Sequence, residues 1–599
     1  MKIRRHYLAI RLAYPDIQED SPFEVTTQEL ADLLECTHRN MVLLLKRMQQ
    51  ENWLAWTPKR GRGNRSALTF LAGKEQIALL EAQELMQKQD LHSALELLGQ
   101  LDESTKLRGQ FQEWLSGQFG FHSDRQGKRR TDILRFPLPQ TIYSLDPAAI
   151  HYMGESHLVN QLFDGLVRID PKGGQLSPHL AHAWEVDESR TMWTFYLRKG
   201  VLFHHGRELD SSDVKYSLGR LRTLNPHGLY GWTYSGIAAM DTPDDTTIRI
   251  RLAERNEAFL SFLATNRASI VPQDACEAAG GRFGASPVGT GPFRLAGKEQ
   301  GVWILEAFAP YFRGRAFLDR VEIWTVAESD GQDGGAELQS FQIMHNARLS
   351  DAAAQRWQQV RQSGMTCKFI TANEHEGSLL ASPALRAAID RAIGRDELLR
   401  LLSGDVIERV DSFWPRQTDG GADEAGAGEA GADSRSAEEL LAAAGYTGET
   451  LTLATIPQYE ADARIIRQVC AGSGVNIEIS LIDAERFKGT ARMSADLLLF
   501  AVMLDEHREL RLIDLFKSMQ QHATPETQDM LEAGIRHILA EPDPLRRSEI
   551  FQRVEAELKE RHSLLFLYRK QLKTAFHPSV RGISLESLGW VRFRDIWFT

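Results

Sequence analysis

The stretch Trp193-Thr-Phe-Tyr-Leu-Arg-Lys-Gly-Val-Leu-Phe203 is written as two short strands around a turn. Trp193, Phe195 and Leu197 stand at alternate positions, so one face of an extended chain is apolar. Lys199-Gly200 turns the chain, and Val201 and Phe203 open the next run. Asp210 then stands as a helix cap with Asp213 at the third helical position, and Leu209 and Val214 are placed for a hydrophobic staple. From Thr131 to Thr599 short strands and helices alternate in this way without a repeat of roughly 20 to 50 residues, which predicts an α/β region and not a solenoid.

A chain of 599 residues is too long for one ordinary core, so several domains are expected. Its 42% hydrophobic and 25% charged residues are the mixture of a globular protein. Cys36, Cys276, Cys367 and Cys470 show neither zinc nor redox spacing, which predicts no disulfide framework and no cysteine metal site. The basic start is broken by Arg11, Asp16, Glu19 and Asp20 and holds no uninterrupted secretory core, and no later run reaches the roughly 18 apolar residues of a membrane helix. A cytoplasmic protein is expected.

The segment in front has a different grammar. Residues 1–73 read as helix, helix, helix and hairpin, an α+β unit. Thr26 and Thr27 are caps, with Glu29 early in the turn, for a short helix carrying Leu30, Ala31, Leu33 and Leu34. After a break at Glu35 and Cys36, Thr37 caps a longer helix whose Met41, Leu44, Leu45 and Met48 make one buried stripe. Two helices joined by so short a turn form a helix-turn-helix. Strand-like runs at Trp53–Trp56 and Ala67–Phe70 flank a glycine-rich, cationic tip, a winged arrangement. Residues 74–130 predict a helical connector, with apolar Ile77, Leu80, Leu85, Leu91, Leu95 and Leu98, ending in a polar, basic linker from Ser123 to Arg130. Thr418 to Ser436, almost entirely Gly, Ala, Asp and Glu, predicts a flexible insertion.

The net charge of −11 hides a local excess. Between Glu35 and Gly73 seven basic residues face two acidic ones, a net of about +5. A helix enters the major groove when its first turns offer hydrogen-bonding side chains. Thr37, His38, Arg39 and Asn40 occupy that end, Arg39 and Asn40 being the candidates for base contacts, with Lys46 and Arg47 further along the same side. Val42 and Leu43 also fall on that side, where polar residues are common. Lys59, Arg60, Arg62 and Arg65 at the hairpin tip are placed for phosphates or the minor groove.

In the larger region Gln175-Leu-Ser-Pro-His-Leu-Ala-His-Ala-Trp184, the stretch from Trp193 to Gly206, and Asp213-Val214 resemble the family 5 extracellular solute-binding proteins of ABC transporters. The resemblance continues at Pro287–Phe293, at Tyr311-Phe-Arg-Gly314 before Leu318-Asp319, at Leu385–Arg391 and at Leu440–Gly445. It implies a two-lobed clamshell of periplasmic-binding-protein type II over 131–599, with lobe I at about 131–325 and 565–599 and lobe II at about 326–564. The combination with the amino-terminal unit resembles the SgrR-type transcriptional regulators, associated with sugar-phosphate stress. That match rests on Glu29-Leu-Ala-Asp-Leu-Leu34, Arg47-Met48, Asn52-Trp-Leu54 and Gly61-Arg-Gly63. The resemblance implies double-stranded DNA and a small-molecule ligand (a sugar phosphate, sugar or peptide) as partners; the oligomeric state stays open, DNA readers of this type often acting as homodimers on paired half-sites.

For the ligand, the resemblance implies Trp414 at a pocket edge and Asp505 near the position where peptide binders place a carboxylate for the ligand's amino group. The tryptophan and tyrosine usual around that carboxylate are missing. Gly289-Thr-Gly291 lacks the Lys-Ser/Thr of a phosphate loop, and a tight turn into a strand is expected. His179, His182, His204 and His205 lack a third ligand, so structural roles are expected. No nucleophile elbow, metal set or paired-carboxylate motif points to an enzyme, and no cofactor is expected. The alternative to a regulator is a substrate-binding protein of an oligopeptide- or nickel-type ABC transporter.

Overall fold

The computed structural model describes residues 2–59, 65–87, 93–94, 97–98, 114, 120–138, 141–150, 152–170, 175–225, 228–299, 301–325, 358–402, 407–414, 435–483, 486–487, 489–576, 580–582 and 591–598. The chain divides into two compact units, one of residues 1–141, 295–306 and 318–342, the other of residues 142–294, 307–317 and 343–599.

The first unit opens with helix α1 (Lys2–Ala13), strand β1 (Pro22–Val25), helices α2 (Thr27–Leu33) and α3 (His38–Gln50), strands β2 (Leu54–Thr57) and β3 (Ser66–Phe70), and helix α4 (Lys74–Gln87). The strands form an antiparallel sheet in the order β1-β3-β2. The hairpin β2–β3 is the one expected; β1 was not, because four residues, Pro-Phe-Glu-Val, are too few to show an alternation. Tyr7, Leu8 and Ile10 of α1, Met41, Leu45 and Met48 of α3, Leu54, Leu68 and Phe70 of the sheet, and Ile77, Ala78, Ala82 and Leu85 of α4 share one buried core.

Both helices of the helix-turn-helix are capped at each end, by side chains at the start and by the backbone at the finish. Thr26 and Glu29 close a reciprocal capping box on α2, and the Thr37 hydroxyl accepts from Asn40 N–H at the start of α3. At the far ends Glu35 N–H and Cys36 N–H donate to Asp32 and Ala31 carbonyls, and Asn52 N–H and Trp53 N–H donate to Gln49 and Met48 carbonyls. These are two Schellman motifs, with Glu35 (φ 47°) and Asn52 (φ 59°) in the left-handed position that usually falls to glycine.

The stretch Ser123 to Arg130, expected as a linker, is instead part of a hairpin. Strand β4 (Gly120–Gln126) runs antiparallel to β5 (Arg129–Leu138), with Gln126 opposite Arg129 and Gly127 (φ 62°) in the turn. Its polar composition concealed it, since the ladder hydrogen bonds belong to the backbone and leave no mark on side-chain polarity. Arg320–Thr325 lies parallel to β5 and pairs on its other side with Val302–Ala307, giving a five-stranded sheet. Val302, Ile304 and Trp324 join the core of the amino-terminal helices. Parts of the region 131–325, expected in the clamshell, thus pack with the first unit. Among the candidate connector residues, Ile77, Leu85 and Leu98 are buried and Leu80 is exposed; Leu91 and Leu95 lie outside the described residues.

The second unit contains the stretch that decided the fold class. Met192–Leu197 is a strand between Ala181–Val186 and Thr247–Leu252 in a four-stranded antiparallel sheet. Asp210 caps helix Ser211–Leu224 through a capping box with Asp213. A six-stranded sheet has the order Ile407–Arg409, Leu564–Phe576, Gln358–Ala372, Leu497–Met503, Thr450–Thr455 and Asn476–Leu481. Thr450–Thr455, helix Glu460–Gly472 and parallel strand Asn476–Leu481 form a βαβ crossover. The segment from 565, expected to return to lobe I, stays in this sheet as far as Phe576, held by its ladder to Gln358–Ala372. The insertion expected at 418–436 lies outside the described residues except for Arg435 and Ser436, the latter capping helix Ala437–Ala443. No helix among the described residues is long and apolar enough to cross a membrane.

Candidate nucleic-acid interface and ligand region

Helix α3 is two-faced. Met41, Leu45 and Met48 are buried, while Thr37, His38, Arg39, Asn40, Lys46 and Arg47 are all exposed. Val42 and Leu43 are exposed as well, at 47% and 60%, which fixes the helix phase: the apolar pair lies on the solvent side, beside the cations. A helix held to a core by one stripe presents the other face to a partner without rearrangement.

The hairpin brings Lys59 and Arg65 to the same unit, and both are exposed; Arg60 and Arg62, between them, lie outside the described residues. Each described cation meets an acid that the charge count over 35–73 left out. Lys59 Nζ is 2.8 Å from Glu24 of β1, and Arg65 is 3.3 Å from Glu29 of α2. The Lys59 hydrogen bond and charge hold Glu24 below the usual carboxylate range, and the Thr26 backbone N–H does most of the same for Glu29. Exposed pairs of this kind contribute little to stability and open readily to a stronger anion. The positive field at the hairpin base is nonetheless weaker than the local sequence count indicates.

In the second unit the two ligand candidates are committed internally. Asp505 is buried; its carboxylate accepts from Arg511 at 3.1 and 2.7 Å and from His507 N–H at 3.0 Å. Burial alone raises its pKa, but the Arg511 charge and hydrogen bonds outweigh burial and hold it below the usual range. Trp414 is 9% exposed, with the Arg508 guanidinium 3.8 Å over its ring and Phe551 against it. Sequence reasoning missed buried Tyr230, close enough to Asp505 to feel its charge, and Trp232 two residues on, whose indole donates to Asp514 at 2.8 Å. The only available signal was the aromatic spacing Tyr230, Trp232 and Tyr234 around Gly231.

The four histidines have structural partners. His179 Nε2 is 2.6 Å from buried Asp164, which also accepts from Thr290 and Tyr311. His204 accepts from Gly289 N–H and its Nε2 meets the Gly291 carbonyl at 3.1 Å. His182 lies against Tyr196, and His205 pairs with Asp274. Gly289-Thr-Gly291 is a turn before strand Phe293–Glu299, as expected. A Cβ on Gly289 or Gly291 would fall 2.1 Å from the Leu162 carbonyl oxygen or 2.4 Å from its carbon, so the pair serves close backbone packing. Among the described residues no group of three or more His, Cys, Asp or Glu is placed to hold a metal.

Residues 175–516 match the family model of the bacterial extracellular solute-binding proteins, family 5, and residues 3–121 match that of the sugar transport-related sRNA regulator amino-terminal domain. Since the first match spans more than half of its length, the chain belongs to the family 5 solute-binding proteins. With the second domain in front, it has the two-part build of the SgrR type. The HTH-type transcriptional regulator SgrR of Yersinia enterocolitica is 29% identical over 587 residues, 96% of each chain. The protein YhjP of Bacillus subtilis is 28% identical over 610 residues and the full length of both. Among solved structures, DppA of Helicobacter pylori with the peptide STSA has a TM-score of 0.64 at 20% identity, covering 78% of this chain and 98% of its own. NikA of Brucella suis with Fe(III)-EDTA has a TM-score of 0.64 at 17% identity, covering 78% and 100%. These likenesses define a periplasmic-binding-protein fold. The families matched are of solute-binding proteins and of regulators, not of enzymes.

Proposed function

We propose that this chain is a cytoplasmic transcriptional regulator whose winged helix-turn-helix, about residues 1–73, holds duplex DNA, and whose two-lobed solute-binding part senses a small metabolite. The division of α3 into a core stripe and an exposed face of Thr37, His38, Arg39, Asn40, Lys46 and Arg47 carries the reading. Arg39 and Asn40 sit in the first turn, where side chains reach base edges, while Lys46, Arg47, Lys59 and Arg65, with Arg60 and Arg62, serve phosphates. The full-length likeness to a protein named an HTH-type transcriptional regulator supports it. Two copies on paired half-sites are the arrangement such readers adopt.

Of the ligand classes considered, sugar phosphate, sugar and peptide, the last is disfavoured at Asp505, because Arg511 already occupies the carboxylate that would meet an ammonium group. Ligand alters DNA affinity only by binding one state of the protein more tightly than another. Selection of bound DNA fragments by the full chain tests the reading. Arg39→Ala is expected to relax base preference at a cost of about 1 to 3 kcal/mol, and Arg62→Ala to weaken all sequences and flatten the salt dependence. Failure of the unsubstituted chain to retain duplex at low salt overturns it.

A further inference from the structure

The second unit also holds a cleft of about 530 Å³ lined by Arg168, Ser177, His179, Arg198, Phe312 and Arg313. Arg168 comes from strand Val167–Ile169, Ser177 from its partner strand Leu176–Pro178, and Arg313 from the loop after Tyr311. Among the described residues Arg168, Arg198 and Arg313 form no ion pair; Arg198 donates to the His179 carbonyl at 2.6 Å. Two further arginines stand behind them. Arg594 lies 5.2 Å over the Tyr311 ring and donates to the Arg313 carbonyl, and Arg592 is close enough to act on both Arg168 and Arg313.

Among the described residues the nearby acids, three carboxylates against five guanidinium groups, do not balance this charge. Asp164 is sealed by His179, Thr290 and Tyr311, Asp170 stands at the end of the Arg168 strand, and Asp595 pairs with Arg592 at 4.0 Å. Burial first, and then the charges of Arg313 and Arg592, hold Arg168 below the ordinary arginine range; burial, with Arg594 and Arg592, does so for Arg313 against the opposing pull of Tyr311 and Asp164. Among the described residues two buried nitrogens lining the cleft have no hydrogen-bond partner, Arg168 Nε and, on a residue only 7% exposed, His179 Nδ1. Converging like charges with orphaned donors are costly in an empty protein and favourable around an anion.

We propose that this cleft is a binding site for a small polyoxyanion, a phosphate monoester or a polycarboxylate, held by Arg168, Arg198 and Arg313. Guanidinium groups suit that chemistry because their fork of N–H donors matches two oxygens at once. The Phe312 ring and the Ser177 hydroxyl give the cleft an apolar wall and a neutral polar contact for the remainder of the ligand. The site is separate from Asp505 and Trp414. Its regulatory meaning, though not its existence, rests on the function proposed above.

Isothermal titration of the full chain with inorganic phosphate, glycerol 3-phosphate, citrate and neutral glycerol tests the site. Phosphate or glycerol 3-phosphate is expected to bind if the ligand is a phosphate, and citrate if it is a polycarboxylate, while glycerol gives no heat. Arg168→Gln with Arg313→Gln is expected to weaken binding by at least about tenfold, the loss of charged hydrogen bonds. The thermal midpoint of that variant, measured alongside, should not fall, since two repelling charges are removed. No heat with any anion, or equal affinity in the double variant, overturns the proposal. DNA affinity of the double variant without added anion separates a third outcome: a drop there assigns these arginines to the duplex and also overturns it. Anion binding that leaves DNA affinity unchanged sinks the sensor reading and leaves the site standing.

Discussion

Arg511 closes on Asp505 through two hydrogen bonds to one buried carboxylate, with His507 N–H making a third. The chain thereby supplies its own counter-ion to this buried carboxylate. Arg511→Met is expected to lower stability by about 3 kcal/mol, because it strands a buried carboxylate. Replacing both partners, Asp505→Leu with Arg511→Met, should recover most of that loss. Urea denaturation of the two variants checks this; equal loss in both would show that the pair matters for packing rather than charge.

Glu35 occupies the left-handed position between α2 and α3 with its side chain exposed. Glycine adopts this conformation without the Cβ conflict, so Glu35→Gly is expected to stabilise the amino-terminal unit by about 0.5 to 1 kcal/mol. A lowered midpoint in thermal unfolding would contradict the motif.

Burial holds the rings of His204, His507 and His522 down at about 4, and among the described residues neither ring nitrogen of His522 has a hydrogen-bond partner. Each is a base with a folded pKa below the unfolded value of about 6.5, so the unfolded chain takes up protons first. Stability therefore falls as pH drops from about 6.5 to about 4, by on the order of 3 kcal/mol for each ring, and this contribution levels off below. Asp505 loses its own contribution at lower pH still, as its depressed folded pKa is passed. Unfolding curves at about pH 7.5, 5.5 and 4.5 measure the slope, which His522→Phe should reduce.

Gly289→Ala and Gly291→Ala place a methyl group within 2.1 and 2.4 Å of the Leu162 backbone. Backbone cannot swing aside as a side chain does, and each substitution should cost about 2 kcal/mol or more. Gly297→Ala, whose Cβ meets nothing within 4 Å, is the control expected to lie within about 0.5 kcal/mol of the unsubstituted chain.

Much of this architecture was legible where a signal repeats within a few residues. The alternation of Trp193, Phe195 and Leu197, the Asp210–Asp213 box and, with Leu44 only half-buried, the Met41, Leu45 and Met48 stripe appear as read, because periodicity and capping are local physics. The four-residue strand β1 and the polar hairpin β4–β5 were not, since each exists through backbone pairing with a partner distant in sequence or indifferent to side-chain polarity. The charge count over 35–73 erred for the same reason: Glu24 and Glu29 reach the hairpin across the fold, not along the chain.

The sequence alone determined the order of parts, the helix with its cationic outer face and the α/β character of the remainder, since these follow from residue spacing and local hydrogen-bonding demands. Only tertiary structure decided that Asp505 is spent on Arg511, and that Arg168, Arg198 and Arg313 line one cleft. A charge acquires its role from the charges and solvent around it, and in a folded chain those neighbours are chosen by packing between segments hundreds of residues apart or merely a turn away.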